Sequence, residues 1–160
     1  MSKEVRTAVV YHSLHGTVES VAKAIAQKTD AQLIPLTIPG AAQLKGFQMY
    51  AKLGFMATFK SKPKIVWQET DLSVYDRIII GTPVWGSTFS PAIRSFLSQF
   101  PTIKPHIAGA FFCHLGGLGT APVKFTKFLN AGPAFPIRDG IIKNDSDAES
   151  LALSITAALK

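Results

Sequence analysis

The chain has 160 residues, 47% of them hydrophobic, and a formal charge of +7 from 17 basic and 10 acidic side chains. That length predicts one domain over residues 1–160, with enough apolar content for a sizeable core and too much for a disordered chain. No run approaches the ~20 apolar residues of a membrane span, Met1 to Arg6 lacks the apolar stretch of a signal peptide, and the single cysteine, Cys113, excludes an intrachain disulfide framework. A cytoplasmic setting is the expectation.

Thr7 to Tyr11 is a β-branched run that reads as a buried strand. Val18, Val21, Ala22, Ile25 and Ala26 follow at i, i+3, i+4, i+7 and i+8, the stripe of an amphipathic helix. The residues between, His12-Ser13-Leu14-His15-Gly16-Thr17, must turn sharply from strand into helix. Such a turn leaves the first helical N–H groups without intrahelical partners and adds the positive end of the helix dipole, so it favours an anion such as a phosphate. A tight turn that binds nothing is the alternative.

Gln32 to Ile38 reads as a second strand, with Pro35 placing it at a sheet edge, and Pro39-Gly40 closes it. Ala41 to Phe59 is expected to be helical, with Leu44, Phe47, Tyr50 and Ala51 on one side and Phe55, Met56 and Phe59 extending an apolar surface. Ile65-Val66-Trp67 is a short extended piece. Asp76 to Pro83 is the plainest strand, a continuous apolar run suited to burial on both faces of a parallel sheet. A loop from Val84 to Phe89 leads to Ser90-Pro91, the N-cap and N1 signature of a helix whose stripe is Ile93, Phe96, Leu97 and Phe100. Ile107 to Cys113 is the next strand, Gly116-Gly117-Leu118-Gly119 a loop, and Thr120 to Leu129 a helix. Ala134 to Ile142 supplies the last strand, with Pro136 again marking an edge, and Ser146 to Glu149 has capping-box spacing before a final helix.

Strands alternating with helices five times require a parallel sheet covered on both faces. Two edge strands bearing proline suit the order 2-1-3-4-5, whose switch point lies between strands 1 and 3. The loops after strands 1, 3 and 4 (Ser13 to Thr17, Thr82 to Ser90, Cys113 to Thr120) are expected to meet there.

These loops resemble those of the flavodoxins and flavodoxin-like proteins, and the resemblance covers the whole chain in the order of its elements. Ser13-Leu14-His15-Gly16-Thr17-Val18 is similar to the FMN phosphate loop of that family, with His15, Thr17 and Val18 departing from its pattern. Tyr75 to Trp85, with Gly81-Thr82-Pro83-Val84-Trp85 at its end, is close to a form common in short flavodoxin-like proteins, where the loop lies beside the flavin ring. Phe112-Cys113-His114-Leu115-Gly116-Gly117 matches the loop on the ring's other side. The resemblance implies a flavodoxin-like three-layer α/β sandwich with a five-stranded parallel sheet, and FMN as cofactor. The implied contacts are Ser13, Leu14, His15, Gly16, Thr17 and Val18 at the phosphate; Thr82, Pro83, Val84, Trp85, Gly86 and Ser87 in the second loop; and Cys113, Gly116, Gly117 and Gly119 in the third. Trp85 is the leading candidate to stack on the ring, with a structural tryptophan as the alternative. Glycine amides of the third loop would approach the pyrimidine end. His15 beside a phosphate would favour its charged form, so FMN is expected to bind tighter near pH 6 than near pH 8.

No G-x-G-x-x-G or P-loop follows the first strand, and no His/Cys/Asp/Glu cluster has metal-ligand spacing. Cys113 and His114 alternate faces, so an inert buried cysteine is expected, and with no acid–base or nucleophile set any redox chemistry belongs to the cofactor. The first expectation is an FMN protein that carries electrons between a reductase and an acceptor. The alternatives are an NAD(P)H-dependent FMN oxidoreductase acting on quinones or other small acceptors, and a module whose FMN binding has weakened. Acids are absent from Ala31 to Gln68 and from Arg77 to Arg138. Electron-carrying flavodoxins are typically acidic around the flavin, which opposes negative charge on the reduced ring. Here reduction is expected at a less negative potential, and the redox partner is expected to offer an acidic face. Charge alone would also suit nucleic acid, but no motif accompanies it.

Overall fold

The computed structural model describes residues 3–41, 48, 51–52, 55, 61–130 and 135–159. Its elements are β1 (Thr7–His12), α1 (Thr17–Thr29), β2 (Gln32–Leu36), β3 (Arg77–Trp85), β4 (Thr88–Phe89), α2 (Pro91–Gln99), β5 (Ile107–Cys113), α3 (Ala121–Leu129), β6 (Ile137–Gly140) and α4 (Asp145–Ala158), with 3-10 turns at Leu72–Val74 and Pro101–His106. The sheet runs β2-β1-β3-β5-β6 with every pairing parallel, and β4 folds back antiparallel on the end of β3. The five parallel strands keep the order expected from the sequence. The sixth, β4, was expected to be loop.

Pleating sends alternate residues of each strand into two cores. Ala8, Val10, Ile78, Ile80, Ala110 and Phe112 face α2 and α3. Val9, Tyr11, Ile79, Phe111 and Cys113 face α1 and α4. Phe89, Phe96, Phe111, Phe112 and Phe125 are fully buried, each contributing about 1.5–3 kcal/mol of burial. The β3–β5 register slips between Ile78 and Ile79, which oppose Ile107 and Gly109. The bulge gives Ile107 and Ala110 the same core while Gly109 lies 3.1 Å, measured from an ideal Cβ, from Ile155 of α4.

β2 ends at Leu36, two residues before the expected Ile38, because Thr37 leaves it to exchange hydrogen bonds with Val66 (2.9 and 2.8 Å). That bridge is the extended piece read at Ile65–Trp67, and Trp67 packs edge-on against Phe96 and Phe100. The helix expected over 41–59 falls mostly outside the described residues, of which Gln48, Ala51, Lys52 and Phe55 are helical and exposed. The last strand spans Ile137–Gly140, against the expected Ala134 to Ile142, and Ala134 is outside the described residues. The final helix starts earlier than its capping-box spacing suggested. Asn144, not Ser146, is the N-cap and accepts from Asp147 N–H at 2.9 Å, while Asp147 accepts from Lys143 N–H at 2.9 Å.

Candidate functional site

β1, β3 and β5 all end at the same edge of the sheet, so the loops that follow them share one side. At the first, Ser13 Oγ accepts the Gly16 N–H (3.1 Å) and closes the turn. Gly16 is the N-cap of α1 at φ 91°, a backbone state natural only to glycine. It has no capping side chain, and its carbonyl takes the Ser20 N–H and hydroxyl at 3.0 and 2.8 Å. The N–H groups of Thr17, Val18 and Glu19 thus begin the helix without intrahelical acceptors. The same chain caps α2 with Ser90 and α4 with Asn144. The bare end of α1 lies at the β1/β3 switch point, where its dipole favours a negative group. Val18 is fully buried and offers only its amide, His15 is exposed, and Ser13, Leu14 and Thr17 are half-buried. Glu19, in the first turn, pairs with Lys23 at 3.5 Å.

The second loop is a hairpin. Gly86 and Ser87, at φ 55° and 61°, turn the chain so that Val84 pairs with Phe89 and Trp85 with Thr88. Two successive positive φ values suit the twist of a two-residue hairpin. Periodicity did not show it because β4 is only two residues long. Thr82 is fully buried; its hydroxyl accepts from Ser90 N–H (2.8 Å) and donates to the Pro83 carbonyl (2.9 Å), so it serves the fold. Ser90 Oγ caps α2 at Ala92 N–H (3.1 Å) and bonds His12 Nδ1 at 2.7 Å. His12 is 2% exposed and meets Trp85 edge-on, ring centroids 5.3 Å apart. Burial pushes its pKa down to about 4, so the ring is neutral at physiological pH. Trp85 itself is half-buried, and Gly86 and Ser87 are exposed at the rim.

In the third loop Cys113 is 5% exposed and faces the α1/α4 core, where burial raises its thiol pKa to about 12. The expected inert cysteine is what the structure has, and only its backbone is on offer to a ligand. His114 Nδ1 accepts from Gly116 N–H (3.2 Å), so Nε2 carries the proton and donates to Asp139 at 2.9 Å. Gly116's amide is therefore engaged within its own loop, whereas the glycine amides were all expected to face a ring. Asp139 also brings from β6 a carboxylate that the sequence around the loop did not show. Gly119, at φ 56°, sits so close to Ser87 that an added Cβ would lie 2.7 Å from Ser87 Oγ, and the Thr120 hydroxyl donates to the Ser87 carbonyl at 3.2 Å. Gly117 is exposed, and Leu115 is 90% exposed.

The three loops are thus physically joined: His12 ties the first to Trp85 and Ser90 of the second, and Ser87 ties the second to Gly119 and Thr120 of the third. Ser90 and His114 lie in loops expected to meet at the crevice but were not named as contacts, and His12 and Asp139 were not expected there. Their spacing resembles ordinary core and loop positions, and only the adjacency of His12 to the turn hinted at a role. Among the described residues no group of three His, Cys, Asp or Glu side chains is placed to hold a metal ion, and no helix is long and apolar enough to cross a membrane.

A doubly wound parallel sheet, with a bare helix N-terminus and a half-buried aromatic at its switch point, defines a nucleotide-binding α/β protein. The chain belongs to the flavodoxin family, whose model matches residues 6–151. It is similar in fold to a flavoprotein of Lactobacillus acidophilus NCFM solved in complex with FMN (TM-score 0.71, 20% identity, 92% of this chain and 99% of that one). It is also similar in fold to the two-electron reduced flavodoxin of Megasphaera elsdenii (TM-score 0.55, 16% identity, 95% and 99%). In sequence it is 30% identical over 102 residues to an NAD(P)H dehydrogenase (quinone) of Cupriavidus metallidurans, covering 59% of this chain and 46% of that protein. The chain thus aligns with about half the length of that relative.

Proposed function

We propose that the crevice holds FMN and that the protein transfers electrons through it. The observation that carries this reading is the uncapped N-terminus of α1 at the switch point, beside Trp85. The amides of Thr17, Val18 and Glu19 supply donors for the phosphate, with Ser13 and Gly16 shaping the turn, and Trp85 and the Gly86–Ser87 rim supply a flank for the ring. FMN supplies the reversible uptake of one or two electrons. The chain's own groups bind and orient it, and the neutral His12–Ser90 pair holds Trp85 in place.

If the phosphate is the anchor, FMN binds far better than riboflavin. Two charge-assisted hydrogen bonds of about 1.5 kcal/mol each correspond to a roughly 100-fold difference in Kd. Flavin fluorescence quenching with each ligand measures it; equal affinities, or no quenching by either, would remove the cofactor reading.

The second reading, an NAD(P)H-dependent oxidoreductase acting on quinones, is favoured by the Cupriavidus relative. Steady NADPH oxidation with a quinone by the FMN-loaded protein alone supports that reading. Flavin reduction only after a separate reductase is added supports the carrier. For the carrier, the partner's docking face is acidic, complementing exposed Lys124 and Lys127 beside the third loop.

A further inference from the structure

His12 has one ring nitrogen that the fold does not use. The side chain is 2% exposed, and its Nδ1 lies 2.7 Å from Ser90 Oγ. Ser90 is fully buried, and its oxygen already accepts the Ala92 N–H at 3.1 Å. Among the described residues the Ser90 hydroxyl proton then has one acceptor in reach, His12 Nδ1. A buried hydroxyl that fails to donate costs about 1–3 kcal/mol, so the proton goes there. Burial keeps the ring neutral, and a neutral ring that accepts at Nδ1 carries its own proton on Nε2.

Among the described residues Nε2 has no acceptor. It is not enclosed either, since the enclosed side-chain polar atom without a partner is Arg94 Nε. Nε2 thus holds part of the little surface that His12 keeps. Around it stand the C-terminal end of β1, the cap of α2 and Trp85, all on the sheet edge that carries the three loops. Thr88 repeats the pattern. It is 3% exposed, and its hydroxyl has neither a partner among the described residues nor full enclosure. Thr88 pairs with Trp85 across the hairpin, so their side chains share one face, while Val84 and Phe89 turn to the core. A ring N–H and a hydroxyl therefore flank the half-buried indole, each on a side chain more than nine-tenths buried.

We propose that His12 Nε2–H and the Thr88 hydroxyl bind the riboflavin part of FMN, the N–H donating to one of its oxygens and the hydroxyl meeting a second polar atom. The contact depends on the crevice holding FMN, and it adds two side chains away from the phosphate turn. Strand alternation puts His12 on the face of Ala8 and Val10, toward α2 and α3, whereas the turn opens α1 on the other face. The pair therefore serves the ring or ribityl chain and not the phosphate. Held by Ser90 and by the hairpin, both groups are already ordered, so a ligand engages them without the cost of fixing them. A ligand that covers them without pairing them leaves polar groups unsatisfied, which makes the pair selective.

Asparagine reproduces the Nδ1 position of histidine and glutamine the Nε2 position, so the two bonds can be separated. Fluorescence titration of wild type, H12N, H12Q and T88V with FMN and with riboflavin is the test. H12N keeps the Ser90 contact and loses the crevice donor, so its Kd rises roughly 3–10-fold for both flavins. T88V raises both by roughly threefold. H12Q gives up Ser90 but keeps a donor at the crevice, and it binds closer to wild type than H12N does. The proposal is overturned if H12N or T88V binds both flavins as wild type does, if the loss is confined to FMN, or if H12Q is as weak as H12N. Wild type that quenches neither flavin overturns the cofactor reading and this contact together, whereas an unchanged H12N overturns the contact alone. If H12N does not fold, the wild-type His12 ring resonances decide. A proton on Nε2 that shifts saturably downfield with FMN supports the contact, and a proton on Nδ1 or an unmoved Nε2–H overturns it.

Discussion

A neutral imidazole buried against an indole makes stability depend on pH in a defined window. The folded His12 pKa of about 4 lies below its ordinary value of 6.5, and the cause is desolvation. Below pH 6.5 the unfolded chain takes up a proton that the folded chain refuses, so stability falls as pH drops from about 6.5 to about 4 and is unaffected by this group above that range. With about 1.4 kcal/mol for every tenfold change in the protonation equilibrium, the loss between pH 7 and pH 4.5 amounts to about 2–3 kcal/mol. Urea unfolding of wild type and His12→Gln across that window measures it. The variant is less stable at pH 7 but shows a shallower decline, and parallel curves for the two proteins would refute the assignment. His12 illustrates why single residues are hard to read in advance. It ends a strand whose other members are all buried and apolar or nearly so, and nothing in the sequence says whether a histidine there faces core or solvent. Its bond partner Ser90 is 78 positions away. The same holds for His114, whose bonds to Gly116 and Asp139 depend on β6 lying beside β5.

Elements were more legible, because periodicity and caps are local. The continuous apolar runs of β1, β3 and β5, the stripes of α1 and α2, and the Ser90-Pro91 start all correspond to structure. The β3–β4 hairpin did not show, since a two-residue strand has no period and its turn uses Ser87 in a conformation that serine adopts at a cost. That turn is held from outside, by Gly119 and Thr120 of the third loop. Gly119→Ala places a methyl against Ser87 and forces alanine to φ 56°, so the two loops must part. The expected cost is about 1–3 kcal/mol, with FMN affinity reduced roughly tenfold. Adding Ser87→Gly removes the obstructing side chain and suits φ 61°. The double variant then recovers part of the affinity, a non-additivity that marks two residues in contact. FMN titrations of the four proteins test it; additive losses would show that the loops act separately.

At the scale of the molecule, topology and charge were both present in the sequence, but only topology located them relative to each other. The order of the parallel strands fixed which loops share an edge, and the run without acids from Arg77 to Arg138 covers two of those loops. The structure adds Asp139, already bonded to His114, which offsets the positive field only locally. Exposed Lys124 and Lys127 lie on α3, the helix that follows the third loop, and the expectation is a net positive field at the crevice despite Asp139 and Glu19. Such a field steers anions toward the flavin and repels cations, over a range that shrinks from about 30 Å at 0.01 M salt to about 10 Å at 0.1 M. Reduced, FMN-loaded protein is expected to be oxidised by ferricyanide severalfold more slowly at 0.1 M salt than at 0.01 M. Hexaammineruthenium(III) shows the opposite trend, because screening removes a repulsion in its case. Stopped-flow measurement of the two rates against ionic strength reads the sign of the field at the flavin directly. A ferricyanide rate that rises with salt would mean that the crevice is negative like that of acidic flavodoxins, and an acidic docking partner would then have nothing to complement.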